Sequence, residues 1–268
     1  MVNMNKDDLG DRMKAYESVE TARRFNSNLP VYARIDGRGF SKFTRNMNRP
    51  YDTRMTDCMT DTTMYLVEKT HATIGYVQSD EISLVWSGNP ENNTLFFEGK
   101  VQKTCSVLAS MSAAAFAIAF NRHFGVMSDD YPHFDCRVLQ LPNRTEAANM
   151  FLWRAIDARK NAVSMAARHY FSHGELQGKS SREMSEMLES IGHPMGSYPD
   201  SFRFGTWIKR SHEDRELTPD ELHVIPEKHR PVPGAIVTRS KMTKINMPFF
   251  MNVTNREDVI FNNATPKE

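Results

Sequence analysis

Cysteine is scarce in this chain. Cys58, Cys105 and Cys136 are the only three in 268 residues, far apart and with no CxxC pair. That excludes a disulfide framework and a closely spaced structural zinc site, and it suits a reducing compartment. Charge of one sign is lacking too. Lys and Arg number 34 against 33 Asp and Glu, a formal net charge of +1, so no global basic surplus signals a nucleic-acid partner. A basic face balanced by acid elsewhere stays open. No run of about eighteen apolar residues is visible, and the expectation is therefore no transmembrane helix and no membrane partner. The first residues, MVNMNKDDLGDRMKAYE, are polar and acidic, unlike a targeting peptide. With 40% hydrophobic, 10% aromatic and 25% charged residues, the composition leads to the expectation of a globular, cytoplasmic protein.

What is present reads as alternating strands and helices. After a polar helical start over about 5–25, VYARID (31–36) alternates with period 2, the signal of a half-buried strand. GRGF follows, and two glycines within three residues mark a tight turn. From 52 to 70 the apolar period becomes 3.6, with Met55, Met59, Thr62 and Leu66 on one face. TIGYVQ and ISLVW are then two short strands, with Ser79, Asp80 and Glu81 expected at the hairpin tip. A helix is expected over 95–121, a strand in FDCRVLQLP (134–142) and a helix over 145–171. Ser180 with Glu183 makes a capping box, and Gly192 a C-terminal stop. Beyond Pro194 two strands are expected, in SFRFGTWIKR and AIVTRSKM. The β-α-β-β-α-β order of 31–142 predicts an α+β, ferredoxin-like antiparallel sheet with helices packed on one face.

On that topology Asp36 ends the first strand and Asp80 sits in the neighbouring hairpin, so the two carboxylates approach one another. Adjacent acids at a partly buried place call for a cation, and Mg²⁺ is commonly held by one or two carboxylates plus substrate phosphates. Backbone N–H groups of Gly39, Phe40 and Ser41, at a turn entering a helix, suit a triphosphate. Asp-Gly is also an ordinary turn, and Ser-Asp-Glu an ordinary solvated tip. The residues alone leave both readings open.

RIDGRGFSKF (34–43), YDTRM (51–55) and GYVQSDEISLVW (75–86) closely resemble the tRNA-His guanylyltransferase (Thg1) family and its Thg1-like branch in bacteria, archaea and phages. The likeness continues through FDCRV (134–138), FLWRAIDARKNA (151–162) and LQGKSSREMSEMLESIG (176–192), and ends near FRFGTWIKR (202–210). The resemblance implies a polymerase-type palm that adds nucleotides to a tRNA 5′ end in the 3′→5′ direction. It implies activation of a 5′-monophosphate by ATP or GTP, attack by the 3′-hydroxyl of the incoming GTP, and release of pyrophosphate. It implies two Mg²⁺ held by Asp36, the Gly37 carbonyl and Asp80, with Glu81 assisting as a third catalytic acid. Nucleotide contacts would come from Arg38, Gly39, Phe40, Ser41, Arg49, Asp52 and Ser79. Lys100 and Lys103, one turn apart on the expected helix, match a basic pair tied to a second triphosphate; a solvated helix face is the alternative. The family is typically tetrameric.

Two departures bear on specificity. Ser41 stands where the eukaryotic branch has a histidine, and Arg159, Lys160, Asn161 and Ala162 stand where it carries a His-Ile-Asn-Asn motif. Both favour the branch that repairs 5′-truncated tRNAs over strict addition of G to tRNA-His. Arg154, Arg159, Lys160 and Arg168 are candidates for tRNA phosphates, with a solvated basic face as the alternative. Asp135 and Arg137 read first as a structural ion pair, and His169 and His173 as surface residues. A nucleotide cyclase and a non-catalytic tRNA-binding relative are the rival functions. The expected division is a palm-type core (1–142), its continuation (143–210) and a C-terminal extension (211–268), with EKHRPVPGAIVTRSKMTKI a possible RNA or subunit arm.

Overall fold

Val31–Gly37 forms β1, and its period-2 alternation decides how both faces of the sheet are filled. Val31, Ala33 and Ile35 enter one apolar core, whereas Tyr32 enters a second on the opposite face. The computed structural model describes residues 6–88, 95–126, 130–232 and 234–268. Within them a six-stranded antiparallel sheet runs in the order β4-β1-β3-β2-β5-β6. Its strands after β1 are β2 (Ile74–Gln78), β3 (Glu81–Trp86), β4 (Phe134–Gln140), β5 (Thr206–Glu216) and β6 (Ile236–Ile245). The first four stand in the order of a split βαβ sheet, as expected.

Helices α1 (Lys6–Thr21), α2 (Phe40–Phe43), α3 (Thr53–Thr70) and α4 (Val101–Phe124) precede β4, and α5 (Arg144–Tyr170) follows it. Helices α3 and α4 cover the first face. There Phe40, Phe116, Phe120 and Phe134 join Met59, Leu66, Ile82 and Trp86 in a continuous core. Phe40 has its ring centroid 5.3 Å from that of Phe116 and 5.0 Å from that of Phe134, distances at which offset and edge-on aromatic pairs attract.

Helix α4 is long and apolar enough, by length and composition, to pass as a membrane span, contrary to the expectation above. The apolarity comes from its Ala, Val, Leu, Met, Ile and Phe residues, with its longest unbroken run over 113–120. Here its Leu108, Phe116, Ala119 and Phe120 stripe packs into the first core.

The second face belongs to α5 and to the C-terminal residues. Ala147, Phe151, Ala155 and Ala158 of α5 pack with Tyr32, Tyr76, Val85 and Trp207. Met247, Phe250, Val253, Val259 and Ile260 complete the same core, the last two from α10 (Arg256–Phe261). The buried Lys209 of β5 donates to the carbonyls of Val259 and Ile260, the latter at 3.1 Å, which ties α10 to the sheet. A division at 210 therefore cuts through β5, and 211–268 is part of this fold rather than an appendage. Four short α-helices lie between α5 and β6: α6 (His173–Leu176), α7 (Ser181–Ser190) and α8 (Asp200–Arg203), then α9 (Pro219–Val224) beyond β5. The capping box of Ser180 and Glu183 is present on α7, and Gly192 just past its end is left-handed.

Three boundaries differ from expectation. Ser201–Arg203 is helical, and β5 starts only after Gly205, which has a positive φ and no room for a Cβ: the Tyr76 ring and the Val77 carbonyl would lie within 2.6 Å. Helix α4 starts at Val101, preceded by a turn in which Phe97 and Glu98 are left-handed. Glu81 belongs to β3, not to the hairpin tip, because Ser79 and Asp80 alone make the turn, with Ser79 at φ 49°.

Candidate active site

β1 and β3 are antiparallel neighbours in which Asp36 pairs with Glu81. The Gly37 amide donates to the Asp80 carbonyl at 3.0 Å, so the end of β1 and the β2–β3 turn are bonded together. This brings Asp36 and Asp80 into one electrostatic unit. Burial pushes the Asp80 carboxyl above its ordinary range, and the Asp36 charge adds to it. Burial likewise raises Asp36, and Asp135, its partner on β4, raises it further while Arg34, Arg137 and Arg154 oppose. Partly buried carboxylates that repel one another form a place suited to a cation. Among the described residues no group of three or more His, Cys, Asp or Glu side chains stands ready for a metal. Two carboxylates with a backbone carbonyl fit Mg²⁺, which completes its shell from water and phosphate oxygens.

After Gly37 the chain turns sharply. Gly37 lies against Phe40, whose ring atoms would be 2.5–2.8 Å from a Cβ, and Gly39 sits at φ +71°. Lys42 and Phe43 donate to the Gly39 carbonyl and Thr44 donates to that of Phe40. The amides of Gly39, Phe40 and Ser41 have no backbone acceptor among the described residues, as expected at the first turn of a helix. The Phe40 side chain is core, so its contribution to a ligand is its backbone. Arg38 is exposed, its amide donating to the His133 carbonyl at 2.8 Å.

Beside this turn opens a cavity of about 590 Å³. Ser41, Arg49, Ser79 and Asp80 line one side, and Asn161, Arg168 and His169 line another. Tyr51 and Phe202, stacked at 4.9 Å between ring centroids, close one end. The volume lies in the ordinary range for small-molecule sites. Arg49 is held by donation to the Thr44 carbonyl at 3.0 Å.

Several expected roles meet a different environment. Both Glu81 oxygens accept from Arg154, Oε1 from Nε at 2.6 Å and Oε2 from Nη2 at 2.8 Å, and Nη1 of Arg154 donates to Asp157 at 2.7 Å. Glu81 and Arg154 are 6% and 7% exposed. Burial pushes Glu81 up and the guanidinium fork pulls against it. Glu81 is thereby an anchor for α5 rather than an open metal ligand, and Arg154 is unavailable to an RNA phosphate. Asp52 borders the cavity but caps α3, accepting from the Arg54 amide and guanidinium and from the Asn48 amide; the Arg54 hydrogen bond holds its carboxyl below the usual range.

Lys100 stands before α4 rather than on it, and Lys103 places its Nζ 4.6 Å from the Phe97 ring centroid; neither lines the cavity. Arg159 is exposed, with its guanidinium carbon 4.8 Å from the Phe249 ring centroid, and Lys160 is exposed beside it. Asp135 and Arg137 do pair, at 3.6 Å and in solvent, which contributes little to stability. Asp135's place beside Asp36 is the more consequential fact. The Tyr51–Phe202 wall and the Glu81–Arg154 fork were not anticipated; the register of FDCRV against VYARID would have pointed to Asp135.

Comparison with known proteins agrees with this architecture. Residues 10–142 match the family model described as tRNAHis guanylyltransferase. The tRNA(His) guanylyltransferase of Schizosaccharomyces pombe is 27% identical over 235 residues, covering 81% of this chain and 88% of that one. A bacterial tRNA(His) guanylyltransferase-like protein solved in complex with ATP superimposes with a TM-score of 0.70 at 31% identity, over 76% of this chain and 87% of that one. Another, in complex with GTP, gives 0.70 at 27% identity over 91% and 94%. With its sheet order, its Asp36–Asp80 pair and this identity across most of a solved relative, the chain belongs to the tRNA-His guanylyltransferase family of nucleotidyltransferases.

Proposed function

We propose that this chain is a Mg²⁺-dependent 3′→5′ nucleotidyltransferase that extends the 5′ end of tRNA against the opposite strand, with ATP and GTP as substrates. The observation that carries the reading is the Asp36–Asp80 pair at the mouth of a nucleotide-sized cavity, beside the free amides of the Gly39–Ser41 turn. Asp36, the Gly37 carbonyl and Asp80 would hold Mg²⁺. When bound there, the ion supplies positive charge against the phosphate oxygens at which bonds change. The turn amides orient the triphosphate, and Ser79 with Arg49 borders the nucleotide. The bacterial relatives solved with ATP and with GTP support both as ligands of this site.

The template-dependent form is favoured over addition of G to tRNA-His by Ser41 and by Arg159–Ala162, which lack the eukaryotic histidine motifs. Leu9, Met13, Tyr16 and Val19 leave an exposed apolar stripe along α1, which supports docking of further copies and a homotetramer. A cytoplasmic location completes the reading.

Incorporation of labelled GTP with Mg²⁺ tests it, using full-length tRNA-His and a tRNA lacking its first nucleotide. Template-matched extension of the truncated tRNA, abolished in Asp36→Ala/Asp80→Ala, is the expected result. Addition only to tRNA-His, opposite a non-pairing base, would favour the guanylyltransferase reading. Binding without incorporation would favour a non-catalytic relative.

A further inference from the structure

The carboxylate pair separates two surfaces of unlike shape. On one side lies the cavity, whose wall takes in Ser79 and Asp80 but not Asp36. On the other, Asp36 stands in the field of Arg34, Arg137 and Arg154, and Asp135 and Arg137 of β4 are exposed. Trp153 of α5 stands over this open side. The guanidinium carbon of Arg34 is 5.5 Å from its ring centroid and that of Arg154 is 4.6 Å away. Arg137 is the strand partner of Arg34.

Trp153 contrasts with the other two tryptophans. Trp86 and Trp207 are 1% and 2% exposed, whereas Trp153 keeps 47% of its surface in solvent. It is nevertheless firmly placed, because its neighbour Arg154 is clamped by Glu81 and Asp157. Among the described residues Arg34 has no ion pair, and Arg137 has only the exposed contact with Asp135.

Nucleotidyl transfer brings a small triphosphate together with a polymer end. The cavity has room for the first. A polymer end needs an open approach to the same carboxylates, and it carries a terminal base and a string of phosphates. An exposed indole offers any base a stacking face, and guanidinium groups not saturated by acid attract the backbone.

We propose that Trp153, with Arg34 and Arg137, forms the platform on which the 5′-terminal nucleotide of the RNA stacks beside Asp36. The proposal rests on the reading of an RNA 5′ end as substrate. Trp153 and the two arginines touch the RNA; Arg154 and Glu81 are positioning residues that hold the ring's helix against the hairpin.

The test uses the full chain and a 5′-phosphorylated tRNA. Tryptophan emission is followed as this RNA, ATP or GTP is added. RNA should quench the exposed component, and the quench should vanish in Trp153→Phe, while ATP and GTP alone should leave it largely unchanged. In steady state Trp153→Ala should raise KM for RNA about tenfold with a much smaller change in KM for GTP, and Trp153→Phe should restore most of the loss. An unchanged KM for RNA in a folded Trp153→Ala protein would overturn the platform, as would equal quenching by free nucleotide. Absence of turnover in the parent would instead sink the substrate reading, and the RNA quench would still decide the platform.

Discussion

The two faces of the same sheet are built from opposite materials. Toward α3 and α4, β1 sends Val31, Ala33 and Ile35, and β3 sends Ile82, Leu84 and Trp86. Toward α5, the alternate positions are Tyr32, Arg34 and Asp36 on β1 and Glu81, Ser83 and Val85 on β3. The first face is closed by apolar contact. The second carries a hydroxyl pair, Tyr32 with Ser83 at 2.6 Å, a buried ion pair and the Asp36 carboxylate. Along β1 and β3, a one-residue step thus takes the chain from a purely apolar face to one that combines an apolar core with polar and charged groups.

The sharpest way to break this contrast is to change one face and watch for trespass on the other. Asp36→Asn should lower turnover by about 10³-fold, comparable with loss of a principal electrostatic group, while the thermal midpoint stays near that of the parent. A large fall in midpoint would show that Asp36 itself supports the fold. On the first face Phe116→Ala should cost about 3–5 kcal/mol in denaturant unfolding. The folded fraction should bind GTP as the parent does.

Glu81→Gln tests the boundary between the two roles. It leaves the buried Arg154 with only Asp157 paired to its charge, which should cost about 3 kcal/mol even with a chelator present. Glu81→Gln/Arg154→Met should be less destabilised than the sum of the single variants. A stability loss seen only when Mg²⁺ is present would return Glu81 to the metal.

The smallest expected effect is a slope. Burial lowers the Lys209 ammonium to about 8, below its value in the unfolded chain. Its contribution is therefore fully present above the unfolded pKa and is lost as pH falls through about 8. Stability of the parent should gain from this group as pH rises above 8, and Lys209→Met should lack that gain in unfolding curves taken across the range.

The first face was the legible one. Its alternating residues in VYARID and ISLVW and its 3.6-residue period in α3 are short-range patterns, and the sheet order follows from them. Asp36 and Asp80 were legible for the same reason: each ends or joins a strand whose neighbours can be named. The second face was hidden because its contacts are distant. Glu81 looks like Asp80's twin in the sequence, and only Arg154, 73 residues away, gives it a different task. The Asp52 cap reads locally as an acid ahead of a helix, but its place in a catalytic motif drew it toward the nucleotide. Residues 247–260 have no strong period of their own, and their apolar side chains acquire meaning only against α5. Gly205 sets the start of β5 through a close approach to Tyr76 that no local pattern records.

The second core also sets a timetable. Most of the first core is synthesised once β4 is complete, with Ile208 of β5 and Met242 of β6 joining later, but Tyr32, at the start of the chain, shares its core with Ile260 near the end. About 120 residues of synthesis separate the end of β4 at Gln140 from Ile260, on the order of ten seconds at 5–20 residues per second. Throughout that interval the nascent chain presents a sheet dry on one side and wet on the other, with the carboxylates of the future active site still in water.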